Sequence, residues 1–364
     1  MKIFRCDGCE QVVYFESVRC TRCGRTLAYL PDRGVVAAVE AEAEPAGDAA
    51  GSVVWRALSP AGGHYRPCRN STEHAVCNWA VPAADADDYC RACRLNHTIP
   101  NLDAAGATEA WHRMEIAKRR LLYTLLGLGL PVETKAENPD GGLAFDFLAD
   151  GTSAGPVFTG HNDGLITINI AEADDPFREK MREQMGETYR TVLGHFRHES
   201  GHYYWQRLVE GGPRMDAFRD LFGDERQDYG QARDRHYAAG PPAGWWEHHV
   251  SAYASMHPWE DWAETWAHYL HMVDGLETAR AYGMTLRPVP AGAEPEPALR
   301  ANRLNLHAFD DLMKAWIPLT VALNSMNRSF GMPDPYPFVL TDTAVAKLRF
   351  VHEIVEANAR AAAP

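Results

Sequence analysis

Residues 194–205 read GHFRHESGHYYW and contain the pattern His198-Glu199-x-x-His202. Side chains at positions i and i+4 lie on the same face of a helix, so both imidazole rings can reach one metal ion. The intervening glutamate stands where it can take a proton from a water molecule at that metal. The stretch therefore predicts a zinc hydrolase built around one helix, which we expect over residues 187–209.

A second stretch, residues 257–271 (HPWEDWAETWAHYLH), predicts the helix that supplies a third ligand. One large class of zinc peptidases would need Gly at position 205 and His at position 208, and the residues found there, Trp205 and Leu208, exclude it. Glu260 and Glu264 are one helical turn apart, so one can bind zinc while the other accepts a hydrogen bond from a ligand histidine. Further side chains of this stretch stay open as alternatives: Asp261, His257, His268 and His271.

The amino-terminal region carries a different kind of metal pattern. All eight cysteines lie within the first 93 residues, which is typical of metal sites in a reducing compartment rather than of disulfides. Cys6-x-x-Cys9 and Cys20-x-x-Cys23 are separated by ten residues rich in β-formers. This spacing predicts a zinc ribbon with four thiolate ligands.

The remaining cysteines predict a second four-cysteine zinc site, although only the last two form a CxxC pair. They are Cys68, Cys77, Cys90 and Cys93. Free core thiols and a cross-braced pairing between the two cysteine groups both stay open as alternatives. Residues 41–51, rich in Ala, Glu and Gly, have little to bury and are expected to form a mobile insertion between strands.

Composition narrows the classes of function and of partner. The chain has 364 residues, 46% of them hydrophobic, which predicts a globular protein of two or three units. A formal net charge of -13 argues against nucleic acid as the main partner. No apolar run approaches the roughly 18 residues of a membrane span, and the first residues lack the apolar core of a secretory signal. The expected location is the cytoplasm.

Periodicity predicts the remaining elements. An amphipathic helix is expected over residues 105–126, with Lys118, Arg119 and Arg120 toward solvent. Alternating apolar residues within residues 142–170 predict a small antiparallel sheet. The long connection between the two metal-site helices, residues 214–256, is expected to be irregular and to form part of a cleft.

The pattern Tyr253-x6-Glu260-x3-Glu264 resembles that of the gluzincins related to anthrax lethal factor. The resemblance implies that Glu260 binds zinc, that Glu264 accepts a hydrogen bond from a ligand histidine, and that Tyr253 stabilises the oxyanion. The reverse assignment, with Glu264 as the ligand, stays open because one turn separates the two. Over nearly its full length, the chain resembles a bacterial family of zinc-binding metallopeptidases with an N-terminal zinc-ribbon domain.

The resemblance implies an α+β fold with two domains. We expect residues 1–100 to form a zinc-ribbon β module with two four-cysteine sites, and residues 101–364 to form a mainly helical, gluzincin-like metallopeptidase domain with a small antiparallel sheet. The cofactors expected are one catalytic and two structural zinc ions. No membrane partner is expected.

The function predicted is hydrolysis of a peptide bond in a protein or peptide substrate. Zinc held by His198, His202 and Glu260 would activate water, and Glu199 would act as the general base. Two alternatives stay open. The chain can be an adaptor that binds a protein partner through its zinc ribbons and has an inactive zincin fold, or a regulatory protease whose ribbons recruit one specific protein for cleavage.

Overall fold

In a computed structural model, the protein has two units, Met1–Gly127 with Pro131–Asp174 and Leu128–Leu130 with Asp175–Pro364. The structure describes residues 1–42, 53–59, 62–151, 157–289, 291–292, 294, 298–303 and 305–362. Most of the insertion predicted at residues 41–51 lies outside the described residues. Strands dominate the zinc-ribbon region and helices the later part of the chain, which confirms the α+β class.

The amino-terminal half of the first unit is built mainly of antiparallel strands. β1 (Phe4–Arg5) and β2 (Val12–Val13) form a hairpin. The five strands that follow form one sheet in chain order: β3 (Thr26–Leu30), β4 (Val35–Ala41), β5 (Trp55–Ala57), β6 (His64–Pro67) and β7 (Ala80–Pro82). Small and apolar side chains fill its core, among them Leu30, Ala37 and Val39.

A second sheet of the first unit is mixed rather than antiparallel. Its strands are β8 (Asn96–Thr98), β9 (Ala144–Leu148), β10 (Gly160–Asn162) and β11 (Leu165–Asn169), in the order β10-β11-β9-β8. The antiparallel prediction holds for β10 and β11 alone, because β9 runs parallel to both β8 and β11. Alternation of apolar residues assigns side chains to faces and carries no information about strand direction.

Two α-helices lie among the described residues of the first unit, the short α1 (Arg69–Thr72) and α2 (Ala107–Gly127). Single 3-10 turns occur at Cys93–Leu95 and Ile170–Ala173. The prediction that Lys118 and Arg119 face solvent was wrong, since both are buried. Helical periodicity assigns charges to solvent because burying them is costly, but here buried partners offset that cost.

The second unit is mainly helical. Its helices are α3 (Asp175–Gln184), α4 (Val192–Leu208), α5 (Met215–Phe222), α6 (Tyr229–Ala239), α7 (Pro258–Ala281), α8 (Phe309–Ser329) and α9 (Asp342–Ala362). The strands β12 (Thr285–Leu286) and β13 (Leu299–Arg300) pair, and 3-10 turns lie at Trp245–Glu247, Tyr253–Ser255 and Ala301–Arg303. Helix α7 packs against α4, α8 and α9. Within the described residues, no helix is long and apolar enough to cross a membrane.

The connection predicted as irregular, residues 214–256, instead contains α5 and α6. Helix α5 buries Phe218 and Phe222, which are one turn apart, whereas α6 buries only Ala232. A helix with a single small buried residue has almost no apolar periodicity, so its Asp- and Arg-rich sequence resembles a loop.

Helices α4 and α7 cross at Gly201. A Cβ at this position would lie 2.9 Å from the Ala263 Cα, so no side chain fits between the two backbones. The indole of Trp262 donates a hydrogen bond of 2.8 Å to the Gly201 carbonyl, and the indole of Trp266 donates one of 3.1 Å to Ser200 Oγ. The crossing thereby fixes the position of the α7 side chains relative to those of α4.

Candidate metal centre

Three side chains from α4 and α7 converge at one point. His198 and His202 lie one turn apart on α4. The helix begins after Thr191, whose side chain accepts a hydrogen bond from the backbone N–H of Gly194. Glu260 lies in the first turn of α7. Its Oε2 is 2.9 Å from His198 Nε2 and 3.4 Å from His202 Nε2. One possible ligand atom from each of the three residues lies within 4.8 Å of the other two.

The donor set of this cluster fits a zinc ion. Tetrahedral bonds of about 2.0–2.2 Å place neighbouring N and O ligand atoms about 3.3–3.6 Å apart. The 3.4 Å distance from Glu260 to His202 lies in this range, and the 2.9 Å distance to His198 is somewhat shorter. Two imidazole nitrogens and a carboxylate oxygen that face one another are all metal-binding atoms, so a cation placed among them would be stabilised. Burial alone would lower the pKa of His198, but Glu260 and Glu264 raise that pKa well above its usual value.

Glu264 lies on the other side of the His198 ring. Its Oε1 is 2.7 Å from His198 Nδ1, and its Oε2 accepts a 2.6 Å hydrogen bond from Ser251 Oγ. Burial by itself would raise the pKa of Glu264, but these contacts, with His198 first among them, lower it, so the carboxylate is ionised. An ionised carboxylate at Nδ1 orients the ring and leaves Nε2 free to bind a metal. Glu260, not Glu264, therefore has its oxygen among the metal-facing atoms.

Glu199 is buried beside the two histidines, with 7% of its surface exposed. Its carboxylate accepts no hydrogen bond from any residue in the described part of the chain, which is uncommon for a buried acid. Burial is the main reason that the pKa of Glu199 is raised, and the neighbouring histidines oppose that shift.

Aromatic rings surround the cluster. The Trp259 ring packs on that of His202 at a centroid distance of 3.8 Å, and the Tyr253 ring lies 5.9 Å from that of His198. Burial, followed by the negative charge of Glu260, raises the pKa of Tyr253 well above its usual value, so its hydroxyl stays protonated. The protonated Tyr253 hydroxyl interacts with the Tyr229 hydroxyl.

Two contacts at the site involve residues that the sequence patterns did not single out. Tyr229, the first residue of α6, donates a 2.7 Å hydrogen bond to Glu260 Oε1. Ser251, in the loop before α7, donates to Glu264. Neither Tyr229 nor Ser251 lies on α4 or α7, and neither belongs to a spacing pattern that could have marked it.

The other candidates on α7 have different partners. His257 caps the helix by accepting the Trp259 amide at 3.1 Å, and its Nε2 is 3.1 Å from the Gln227 carbonyl. Asp261 pairs with Lys347 of α9, and His268 bonds to the Tyr336 hydroxyl at 2.9 Å. His271 packs against the rings of Trp316 and Tyr336. The structure brings none of these four into the metal-facing cluster.

The eight cysteines form two separate clusters, not a cross-braced one. Cys6, Cys9, Cys20 and Cys23 make the first, and Cys68, Cys77, Cys90 and Cys93 the second. The Sγ atoms of Cys6 and Cys23, of Cys9 and Cys20, and of Cys77 and Cys90 are each 3.6 Å apart. Zinc–sulfur bonds of about 2.3 Å in a tetrahedron separate the sulfurs by about 3.8 Å. Both clusters therefore fit a zinc ion.

A buried cation lies beside the second cluster. Arg119 of α2 has 2% of its surface exposed, and its guanidinium donates a 2.6 Å hydrogen bond to the Val76 carbonyl. Burial would lower the pKa of Arg119, but negative charge on Cys77, Glu115, Cys93 and Cys90 raises it above its usual value. Four thiolates around one zinc ion carry a net charge of about -2. The guanidinium of Arg119 would offset part of that charge if the cluster binds zinc.

Gly201→Ala is expected to lower the free energy of unfolding by about 1–3 kcal/mol, because the new Cβ must displace the Ala263 backbone. The same displacement separates the α4 histidines from Glu260, so we also expect weaker zinc binding. Urea denaturation and zinc content measure the two effects. Gly127→Ala is the matched control, since a Cβ there meets no atom within 4 Å. Wild-type stability and zinc content in Gly201→Ala would contradict the role of the crossing.

Comparison with known proteins adds two family matches and several relatives. Residues 3–104 match a family described as "zinc-ribbon domain", and residues 107–354 match one described as "Putative zinc-binding metallo-peptidase". Over 359 residues, the chain is 41% identical to uncharacterized proteins of Mycobacterium bovis and Mycobacterium tuberculosis. The alignment covers 98% of this chain and 96% of each relative. No solved structure matches the chain.

Proposed function

The chain belongs to the zinc-binding metallo-peptidase family that matches residues 107–354, and from that premise we propose that it hydrolyses peptide bonds at the His198–His202–Glu260 cluster. The observation that carries the proposal is Glu199, a buried carboxylate beside the two histidines with no hydrogen-bond partner among the described residues. A buried acid left unpaired by its own protein is suited to act on water or substrate.

The proposed roles follow from what each side chain contacts. His198, His202 and Glu260 would hold the zinc ion, which supplies Lewis acidity that polarises a carbonyl group and lowers the pKa of water toward about 7. Glu199 takes the proton from the attacking water and passes it to the leaving amine. Burial raises the pKa of this carboxyl in the protein without metal, and the positive charge of a bound zinc ion would lower it again.

Other residues position or assist these groups. Glu264, held by Ser251, keeps the His198 ring in the orientation that points Nε2 at the cluster. Tyr253 carries a protonated hydroxyl at the edge of the site, and we assign to it the stabilisation of the oxyanion that develops on the substrate. The substrate class that we propose is a protein or peptide. The two thiolate sites require a reducing compartment, so we place the protein in the cytoplasm.

Metal content tests the proposal. The three clusters predict three zinc ions per chain, of which a mild chelator removes one, because the His–His–Glu site lacks thiolates. Hydrolysis of an unfolded protein such as casein should be lost with that ion and return when one equivalent of zinc is added. Elemental analysis and a casein assay measure both. His198→Ala should contain only the two tightly held ions. A wild-type chain with only two ions and no hydrolysis would instead favour the adaptor function.

A further inference from the structure

Glu260 contacts Tyr229 in addition to His198 and His202. The hydroxyl of Tyr229 donates to Glu260 Oε1 at 2.7 Å, whereas His198 and His202 face the other oxygen, Oε2. Glu260 itself is 2% exposed, so water is nearly excluded from both oxygens. The carboxylate therefore has one oxygen committed to a phenol and the other to the metal-facing cluster.

The position of Tyr229 is fixed from several sides. Asp228 caps α6 by accepting the Gln231 amide at 2.8 Å, which sets where the helix begins. The Tyr229 ring packs edge-on against His257 at 5.4 Å and against Trp259 at 6.0 Å, both at the start of α7. The hydroxyl is thus held at the first turn of α7, where Glu260 lies. Few other anchors hold α6, because Ala232 is its only buried residue.

We propose that Tyr229 is a positioning residue that makes Glu260 a one-oxygen metal ligand. A carboxylate can bind zinc through one oxygen or through both, and a hydrogen bond that holds Oε1 toward Tyr229 favours binding through Oε2 alone. One-oxygen binding limits the protein ligands to three donor atoms and so keeps a coordination position open for water or substrate. Tyr229 acts through Glu260 and is given no contact with the substrate. The inference rests on the metal site of the proposed function and not on the reaction assigned to it.

Tyr229→Phe tests the proposal, because it removes the hydroxyl and keeps the ring contacts. The exchangeable metal is first removed by a mild chelator while the cysteine sites keep their zinc. Zinc is then titrated against a chromogenic chelator, and we expect its dissociation constant to rise about 10- to 100-fold. Cobalt(II) is added in a parallel experiment. If the freed Oε1 joins the metal, a higher coordination number should weaken the visible d–d absorption relative to the wild-type protein.

Tyr237→Phe is the matched control, since Tyr237 lies on the same helix and is 58% exposed. We expect its zinc affinity and cobalt spectrum to equal those of the wild type. An unchanged zinc affinity and cobalt spectrum in Tyr229→Phe, with native circular dichroism, would overturn the proposal. Both readouts concern metal binding alone, so they remain decisive even if the protein hydrolyses no peptide. A failed peptidase assay with a clear Tyr229 effect would therefore refute only the proposed function.

Discussion

Glu199→Gln is expected to reduce peptide hydrolysis by about 100- to 10,000-fold, the range attributed to a positioned acid–base group. The amide has nearly the same shape as the carboxylate but cannot accept a proton from water at neutral pH. Glu199 lies outside the group of metal-facing atoms, so the variant should keep its full zinc content. Initial rates on casein and zinc measured in the same preparation separate loss of the base from loss of the metal.

Glu210→Gln is the control for this experiment. Glu210 is an exposed glutamate just after α4, and the same chemical change there should leave both rate and zinc content unaltered. If Glu199→Gln retains full activity, a different residue is the general base and the assignment is wrong. If it loses zinc along with activity, Glu199 acts on the metal site instead of on the substrate.

Arg119→Met is expected to lower the free energy of unfolding by about 3–5 kcal/mol, the cost of leaving a buried charge without its partner. Methionine keeps much of the aliphatic stem but removes the guanidinium that faces Glu115 and the second cysteine cluster. Zinc should also leave this cluster faster, because its negative charge is no longer balanced. Chemical denaturation and the rate of zinc release to a chelator provide the two measurements.

The neighbouring arginine supplies the matched control. Arg120 pairs with Glu16 at 2.7 Å, but both side chains are substantially exposed, at 42% and 32%. An exposed ion pair contributes only about 0–1 kcal/mol, so Arg120→Met should change the stability little. Equal effects of the two substitutions would show that burial of Arg119 beside the thiolates has no special energetic role.

The sequence predicts the parts of the site that depend on local helix geometry. His198 and His202 are four residues apart, as are Glu260 and Glu264, and four residues always bring side chains to one helix face. The choice between the two glutamates depends on how α4 and α7 cross. That crossing is set by the close approach at Gly201, which no periodicity reveals. Spacing alone did not decide which glutamate binds the metal, and the resemblance to gluzincins implied that it is Glu260.

Tyr229 and Ser251 could not be predicted, for the same physical reason. Their hydrogen bonds join positions 31 and 13 residues apart in the chain, and such contacts follow from tertiary packing rather than from local pattern. The helix that carries Tyr229 was itself missed, since one buried alanine gives no apolar stripe. Helix α5 did carry a usable signal in Phe218 and Phe222, which lie one turn apart.

The charged face of α2 shows another limit of sequence patterns. Lys118 and Arg119 have the appearance of surface residues, yet Lys118 lies 2.8 Å from the buried Glu115 and Arg119 lies beside the second cysteine cluster. Charge is placed at the surface by default because an isolated buried ion is costly. A charge can be buried when partners of opposite sign are buried with it. Glu115 is such a partner one turn away on the same helix, whereas the cysteines beside Arg119 come from a distant part of the sequence.

The two cysteine clusters differ in solvent exposure. In the first cluster Cys9 and Cys23 are partly exposed, whereas all four cysteines of the second are buried. Oxidants such as hydrogen peroxide attack accessible thiolates, so we expect the two clusters to differ in redox sensitivity. Oxidative damage would begin at Cys9 and Cys23 and release a zinc ion bound there, while the buried cluster would keep its thiols and any zinc that they bind.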